Sequence, residues 1–401
     1  RCKRFQGTYL VLTREEGKGV PQLKGRCVPR PQHTIKRFRR FQGWYCGSMT
    51  SGGAERTDLK GMTLPELEAF LARWGKERYR ARQLFRWIYQ KHVDDFAAMT
   101  DLSKELRGIL AASCRISGFP AERVETSADG TEKYLFRLED SEAVESVLIP
   151  DEGRRTLCIS CQVGCPLLCG FCATGAAGFR RNMTSAEIVQ QACFAAKRLA
   201  GRGERLSNVV FMGMGEPLLN VPEVSRTIGI LLSQFGFGIS GKRVTVSTAG
   251  IVPEMLPLAL RYPVSFAVSI NAARDDLRSV LMPINRKYPL RELVAVMKRI
   301  PLQSRRKVTA EYVLLAGVND SPEDARALAR SFRGARIKVN LLPFNPHEAS
   351  PYRAPEAEVL DRFRDVLIAG GVQTITRERR GADIRAACGQ LSGSVHKYGN
   401  K

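Results

Sequence analysis

The chain of 401 residues carries 63 Lys and Arg against 40 Asp and Glu, a formal charge of +23, with 44% apolar and 26% charged residues. That is the composition of a folded protein of two or three domains and not of a disordered or fibrous one, and no apolar run approaches the roughly 18–20 residues of a membrane helix. The positive surplus favours a polyanionic partner such as nucleic acid, although an acidic membrane surface would satisfy it too.

Residues 1–48 read as a basic leader. They hold twelve Lys and Arg and two acids, Glu15 and Glu16, so +10 of the total charge resides here and +13 remains for the rest. The stretch has no sustained apolar period, begins with Arg, and precedes the first methionine, Met49. It is expected to be disordered or to stand outside the native protein, translated upstream of a start at Met49. A transit peptide fits poorly, because Ser48 is its one serine; a basic RNA-binding arm is the other reading.

Residues 49–115 read as a small helical, RNA-binding-like domain. Thr63 with Glu66 three residues on, and Pro65 in the first turn, spell a capping-box start. Leu64, Leu67, Leu71 and Trp74 then recur at helical spacing, and Gly75 suits a C-terminus. A second helix carries Leu84, Trp87 and Ile88 between Arg80, Arg82, Arg86 and Lys91, with Trp87 read as core; a third spans Ser103 to Leu110. Residues 116–150 form a β connector, with strands 133–138 and 144–149 following the Asp129-Gly130 turn.

From 151 to 395 the rhythm becomes short strands alternating with helices, ahead of a tail at 396–401. The strands are expected at 156–160, 208–213, 243–247, 266–270, 310–315 and 337–342, and helices at 186–200, 222–235, 290–299 and 322–332. Such alternation is the mark of an α/β fold whose parallel βα units wind into a sheet or partial barrel, with working residues at the C-terminal strand ends.

Five of the eleven cysteines fall within fifteen residues: Cys158, Cys161, Cys165, Cys169 and Cys172. A disulfide framework is not expected in a chain of this length without a secretory signal. The pairs Cys158/Cys161 and Cys169/Cys172 are candidate halves of a zinc site, but seven intervening residues are short for a ribbon. Alternatively, Cys165-x3-Cys169-x2-Cys172 holds three corners of a 4Fe–4S cluster and leaves the fourth iron open for chemistry. This triad after the first barrel strand resembles the radical S-adenosylmethionine (SAM) superfamily.

The resemblance narrows on five stretches in order: Asp58 to Thr63, Glu145 to Pro150, Cys165 to Gly175, Gly213-Met-Gly-Glu-Pro217 and Ala387-Cys-Gly-Gln-Leu391. Together they look like the RlmN/Cfr family of RNA adenine methyltransferases, most like its RlmN branch, over residues 57–395. The resemblance implies a small N-terminal helical domain followed by a partial (βα)6 barrel, with Cys165, Cys169 and Cys172 on the cluster. Gly215 lets backbone approach a ligand, and the Glu216 carboxylate suits the methionyl ammonium of SAM. Ser247, Ser269, Asn271 and Asn345 stand at later strand ends, as polar contacts for SAM. Residue 271 is Asn where the family usually has His.

By the same resemblance Cys388 receives a methyl group from one SAM. A second SAM, cleaved reductively at the cluster, yields a 5′-deoxyadenosyl radical that removes hydrogen from that methyl. The carbon radical adds to adenine C2, and Cys158 resolves the protein–RNA adduct by forming a disulfide with Cys388. Glu145 takes the C2 proton, its apolar neighbours raising its pKa. Cys161, Cys114 and Cys193 receive no role, although Cys161 suits a small buried residue, and the four histidines form no ligand spacing.

The implied substrates are an adenosine of the 23S rRNA peptidyl-transferase centre and the tRNA adenosine 3′ of the anticodon, which must be unpaired or flipped to expose C2. Basic runs at Arg180-Arg181 and Arg377, Arg379 and Arg380 flank the chemistry as phosphate contacts would; Arg305-Arg306-Lys307 precedes a strand. An electron donor such as flavodoxin or ferredoxin, a monomeric state and a cytoplasmic site complete the expectation. The alternatives are C8 methylation of the same rRNA adenosine and a non-catalytic zinc-stabilised RNA-binding protein.

Overall fold

A computed structural model describes residues 56–303 and 306–393, and two strands within the leader. Those strands, β1 (Thr8–Arg14) and β2 (Leu23–Pro29), pair antiparallel in a unit separate from Glu55–Lys401, a hairpin that the leader's sequence did not announce. The remainder of the leader and the tail lie outside the described residues.

The larger unit opens with β3 (Thr57–Asp58), α1 (Leu64–Ala72), α2 (Arg78–Tyr89), α3 (Lys104–Ser113) and β4 (Cys114–Arg115), which pairs in parallel with β3. The capping box forms as expected: the Thr63 amide donates to Glu66 Oε2 at 2.8 Å and the Glu66 amide to Thr63 Oγ1 at 3.4 Å. Leu67, Leu71, Leu84, Phe85 and Ile88 make a core of their own, and Trp87 lies half-buried at its edge.

The antiparallel strands β5 (Ala121–Thr126), β6 (Glu132–Arg137) and β7 (Ala143–Asp151) follow, then β8 (Arg154–Cys158), β9 (Gln162–Gly164), α4 (Ala173–Ala176), β10 (Phe179–Asn182) and α5 (Ser185–Ala200). Next come β11 (Asn208–Phe211), α6 (Val221–Leu232), β12 (Val244–Thr248), α7 (Val252–Arg261), β13 (Ser265–Ser269), α8 (Asp275–Leu281) and α9 (Leu290–Arg299). The series closes with β14 (Val308–Leu314), α10 (Pro322–Phe332), β15 (Ile337–Pro343), α11 (Ala357–Ala369) and β16 (Thr374–Thr376).

One ten-stranded sheet runs β16-β15-β14-β13-β12-β11-β8-β7-β6-β5. Its pairs are parallel from β8 through β16 and antiparallel from β5 to β8. The connector is therefore an extension of the barrel sheet and not a free hairpin, and β16 adds a seventh parallel strand to the six expected. Val189 and Cys193 of α5 and Ile230 of α6 lie in the N-terminal helical core, so that block packs on the outside of the barrel. The junction is close: a Cβ at Gly61 would fall 2.4 Å from the Ala186 amide, while Ser185 Oγ donates to Gly61 O at 2.8 Å. No helix among the described residues is long and apolar enough to cross a membrane.

Candidate active site

β8 ends at Cys158, in register with Val147 of β7 and Val210 of β11. The chain then folds a two-stranded ribbon, β9 against β10, around the cysteine loop. Gly164 makes this ribbon: its φ is 74° and a Cβ there would lie 1.8 Å from Gly178 O, so no other residue fits. The Cys165 amide donates to Gly178 O at 3.0 Å, and the Cys172 amide turns back on Cys169 O at 3.1 Å.

The loop is held from two sides. The Gly170 amide donates to Leu281 O of α8 at 3.0 Å. Opposite, the Ala173 amide donates to Gly389 O at 2.8 Å and Thr174 Oγ1 to Leu391 O at 2.6 Å, which seats the Cys388 segment on the cysteine loop. Cys165, Cys169 and Cys172 are all partly buried; burial pushes the Cys165 thiol up to about 12, and that of Cys169 well up.

The Gly213–Pro217 loop packs on the link between β8 and β9. A Cβ at Gly215, whose φ is 100°, would meet Gln162 Cβ at 2.5 Å. The Glu216 amide donates to Gln162 Oε1 at 2.8 Å. Its buried carboxylate accepts the Leu218 amide on Oε1 at 3.0 Å and the Ala249 amide on Oε2 at 2.7 Å, bridging the ends of β11 and β12. Burial, opposed by those bonds, raises this carboxyl to about 7.

Ser247 and Ser269 lie half-buried at the ends of β12 and β13. Asn271 takes a left-handed φ of 55°, which Asn tolerates. Its amide is occupied within the protein: Oδ1 accepts the Val313 amide at 2.8 Å, and Nδ2 faces Met282 Sδ at 3.2 Å. Asn345 Nδ2 donates to Cys388 O at 3.0 Å, while its Oδ1 is buried without a partner. Thus Asn345 holds the Cys388 backbone and keeps an acceptor in reserve.

Glu145, on β7, is buried, but its surroundings differ from the apolar ones expected. Oε2 accepts the Ser392 and Gly393 amides at 2.9 and 3.0 Å, and Oε1 stands 3.5 Å from Lys133 Nζ. The carboxylate therefore ties the C-terminal segment to the sheet. Cys388 is exposed and Cys158 buried; each is a free thiol, so no standing disulfide joins them. Burial first and the neighbouring Cys388 second push Cys158 up to about 12, against the pull of Arg377.

Residues 57–116 match the ribosomal RNA large subunit methyltransferase N-terminal domain, and residues 159–329 the radical SAM superfamily. Over 343 residues the chain is 53% identical to the dual-specificity RNA methyltransferase RlmN of Geotalea uraniireducens, a match covering 86% of this chain and 98% of that protein. The chain belongs to the RlmN family. A similar relative, from Geobacter sulfurreducens, is 53% identical over 84% of this chain and 92% of its own length. Among solved structures, a radical SAM methyltransferase from Sphaerobacter thermophilus superposes with a TM-score of 0.80 at 45% identity, covering 84% of this chain and all of that one. The fold is that of radical SAM enzymes, and the chain is a radical SAM RNA methyltransferase.

Membership implies a 4Fe–4S cluster and SAM, and the cysteine loop suits the cluster. Burial makes Cys165 and Cys169 costly to ionise unless cations share the site, and thiolates are the donors that iron–sulfur clusters take. Among the described residues no three His, Cys, Asp or Glu side chains converge to hold a single metal ion. Cys161 is not drawn into the loop: buried, it donates its thiol to Met214 O at 3.7 Å.

Several residues of the site gave no signal in the sequence. Arg278, in the short α8, is fully buried; its guanidinium donates to Ile270 O, Ser269 O, Ala249 O and Asn285 Oδ1 at 2.8–2.9 Å. Ser160 Oγ accepts the Met214 amide at 2.8 Å and donates to Glu145 O, linking the loops after β8 and β11 to β7. Asn220 Nδ2 donates to Cys161 O and Met183 O. Of the basic runs, Arg181 is engaged by Asp140 at 2.6 Å and Glu187 at 2.8 Å, and is not a free phosphate contact. Arg306 bonds to Pro263 O and Ser265 Oγ at the N-terminal end of β13, away from the site; Arg305 lies outside the described residues.

Proposed function

We propose that the chain methylates C2 of an adenosine in the peptidyl-transferase centre of 23S rRNA and of the tRNA adenosine next to the anticodon, through a covalent intermediate on Cys388. The observation that carries this reading is the seating of the C-terminal segment. Gly389 and Leu391 bond the cysteine loop, Asn345 bonds the Cys388 carbonyl, and Glu145 bonds Ser392 and Gly393. One segment thereby joins the cluster loop, an exposed sulfur and a buried carboxylate.

Cys165, Cys169 and Cys172 would hold the 4Fe–4S cluster, which with bound SAM supplies the hydrogen-abstracting radical. Gly215, Glu216, Ser247, Ser269, Asn271 and Asn345 line the SAM site, with the Asn345 oxygen free to accept. Cys388, exposed at the mouth, accepts the methyl group and carries the carbon to the base. Glu145 takes the C2 proton, the Lys133 ammonium offsetting its charge beforehand. Cys158 resolves the adduct through a transient disulfide with Cys388. RNA reaches the mouth with the target base flipped out. A one-electron donor of the flavodoxin or ferredoxin kind serves the cluster, and the enzyme works as a cytoplasmic monomer.

Anaerobic reconstitution with iron, sulfide and SAM, followed by nucleoside analysis of unmodified 23S rRNA and tRNA, tests the reading. 2-Methyladenosine in both RNAs is the expected product; 8-methyladenosine would assign the sister regiochemistry instead.

A further inference from the structure

Lys133 lies on β6, directly opposite Glu125 of β5. Across β7 it pairs with Val147, and Leu135 pairs with Glu145, so Glu145 is the diagonal neighbour of Lys133. The three side chains therefore share one face of the antiparallel end of the sheet. Lys133 and Glu145 are each more than nine-tenths buried. An ammonium has three N–H donors, and this one has three acceptors: Ile384 O at 2.7 Å, Glu125 Oε2 at 3.3 Å and Glu145 Oε1 at 3.5 Å.

The first of these acceptors belongs to the C-terminal segment. The segment meets Lys133 at Ile384, four residues before Cys388, and meets Glu145 at Ser392 and Gly393, four and five residues after it. Both ends of the Cys388 loop thus rest on one buried ion pair. The bonds to Cys388 O, Gly389 O and Leu391 O hold the middle of the same loop, and none of them touches Glu145. On the far side of Lys133, Glu125 has a second cation, Arg123, at 3.4 Å.

We propose that Lys133 is a positioning residue that registers Glu145 against Cys388. This assignment rests on the roles given to those two residues above. The carbon delivered by Cys388 and the proton taken by Glu145 meet at one ring atom, C2, so sulfur and carboxylate must keep a fixed relation. Lys133 holds the base with one N–H and the loop that carries the sulfur with another. Glu145 Oε2 is occupied by two amides, which leaves Oε1, the oxygen facing Lys133, to receive the proton while the C–H electron pair stays with the adenine.

Misplacing a reacting group by about 1 Å costs about 100-fold, so Lys133→Met should slow 2-methyladenosine formation by about that factor. Methylated Cys388 should still form at the wild-type level, because the middle of its loop keeps its own bonds. Hydrogen exchange followed by mass spectrometry, on the chain without cofactors, should show residues 384–393 exchanging about tenfold faster, the loss of one charge-assisted hydrogen bond. Lys133→Arg keeps the charge and the donors and should recover most of both effects. Glu125→Gln leaves Lys133 its contacts with Ile384 and Glu145 and should behave as wild type. Lys133→Gln retains a donor and replaces the Met variant if that chain does not fold. Product formation at the wild-type rate in the uncharged variant, slowing without faster exchange, or equal slowing in Glu125→Gln overturns the assignment. Absence of 2-methyladenosine from the wild-type holoenzyme would instead overturn the parent reading, and the exchange measurement would still decide whether Lys133 holds the loop.

Discussion

Arg278→Met tests how the strand ends are held together. The arginine is fully buried, and its four donors reach Ala249 O, Ser269 O, Ile270 O and Asn285 Oδ1 at 2.8–2.9 Å. Hydrogen bonds from a charged donor contribute about 1.5–3 kcal/mol each. Against them stands the cost of burying the charge: desolvation lowers this guanidinium from 12.5 to about 10, worth roughly 3 kcal/mol. Ile270 O keeps the Ala272 amide at 2.8 Å, so its loss is the smallest of the four. Methionine removes the charge and the fork while nearly filling the volume, leaving a net loss of about 3–5 kcal/mol. With a urea slope of about 3 kcal/mol/M, the midpoint should fall by about 1–1.7 M. Arg278→Lys should recover less than half, because an ammonium cannot span acceptors on three segments. Equilibrium urea unfolding by circular dichroism measures both. A methionine variant within about 0.3 M of wild type would refute the argument that this fork binds β12, β13 and α8 together.

Other predictions concern the site. Gly164→Ala forces a Cβ onto Gly178 O at 1.8 Å, so reconstituted chain should bind far less than the wild-type complement of iron while the N-terminal helical block stays folded. Iron assay and limited proteolysis check the two halves of that statement. Glu145→Gln should lower methylation by about 10²–10⁴-fold and leave methylated Cys388 detectable by peptide mass analysis. Because Glu216 is raised to about 7 from 4.5, the folded chain binds the extra proton between those values, and this group's contribution to stability declines as pH rises from about 4.5 to 7. That decline is about 3 kcal/mol, and Glu216→Gln should flatten it; unchanged pH dependence of the urea midpoint in the variant would contradict the sign.

Sequence patterns exposed the elements whose signals are local. The Thr63–Glu66 box, the Leu67–Leu71 stripe and the six parallel strands appear near their expected places because capping and burial leave their mark on neighbouring residues. α7 escaped notice because Pro253 and Pro257 interrupt its pattern, and α11 because it buries mainly Phe363 and Leu367 on a charged helix. β16 is too short to alternate visibly. The connector's place in the main sheet depends on the pairing of Val147 with Cys158, a contact that no periodicity encodes.

At the site, cysteine spacing and the glycine-rich loop were legible because the chemistry fixes residue type and interval together. Arg278 was not recognised in its role, since a lone arginine in a basic chain resembles a surface charge until tertiary structure buries it. Glu145 shows the converse: neighbouring apolar residues suggested a dry pocket, whereas Lys133 and the Ser392 and Gly393 amides arrive from distant segments. The polar half of an active site is thus assembled across the sheet, where sequence order carries little of the pattern.

On the proposed path the methyl group travels through Cys388 to adenine C2. Reaction with SAM bearing a fully deuterated methyl group, followed by mass analysis of the nucleoside product, tests it most directly. Passage through a methylene removes one deuterium from carbon and returns a hydrogen from exchangeable protons. The expected product is 2-methyladenosine retaining two of the three deuteriums; a product retaining all three, or one methylated at another position, would overturn the path through Cys388.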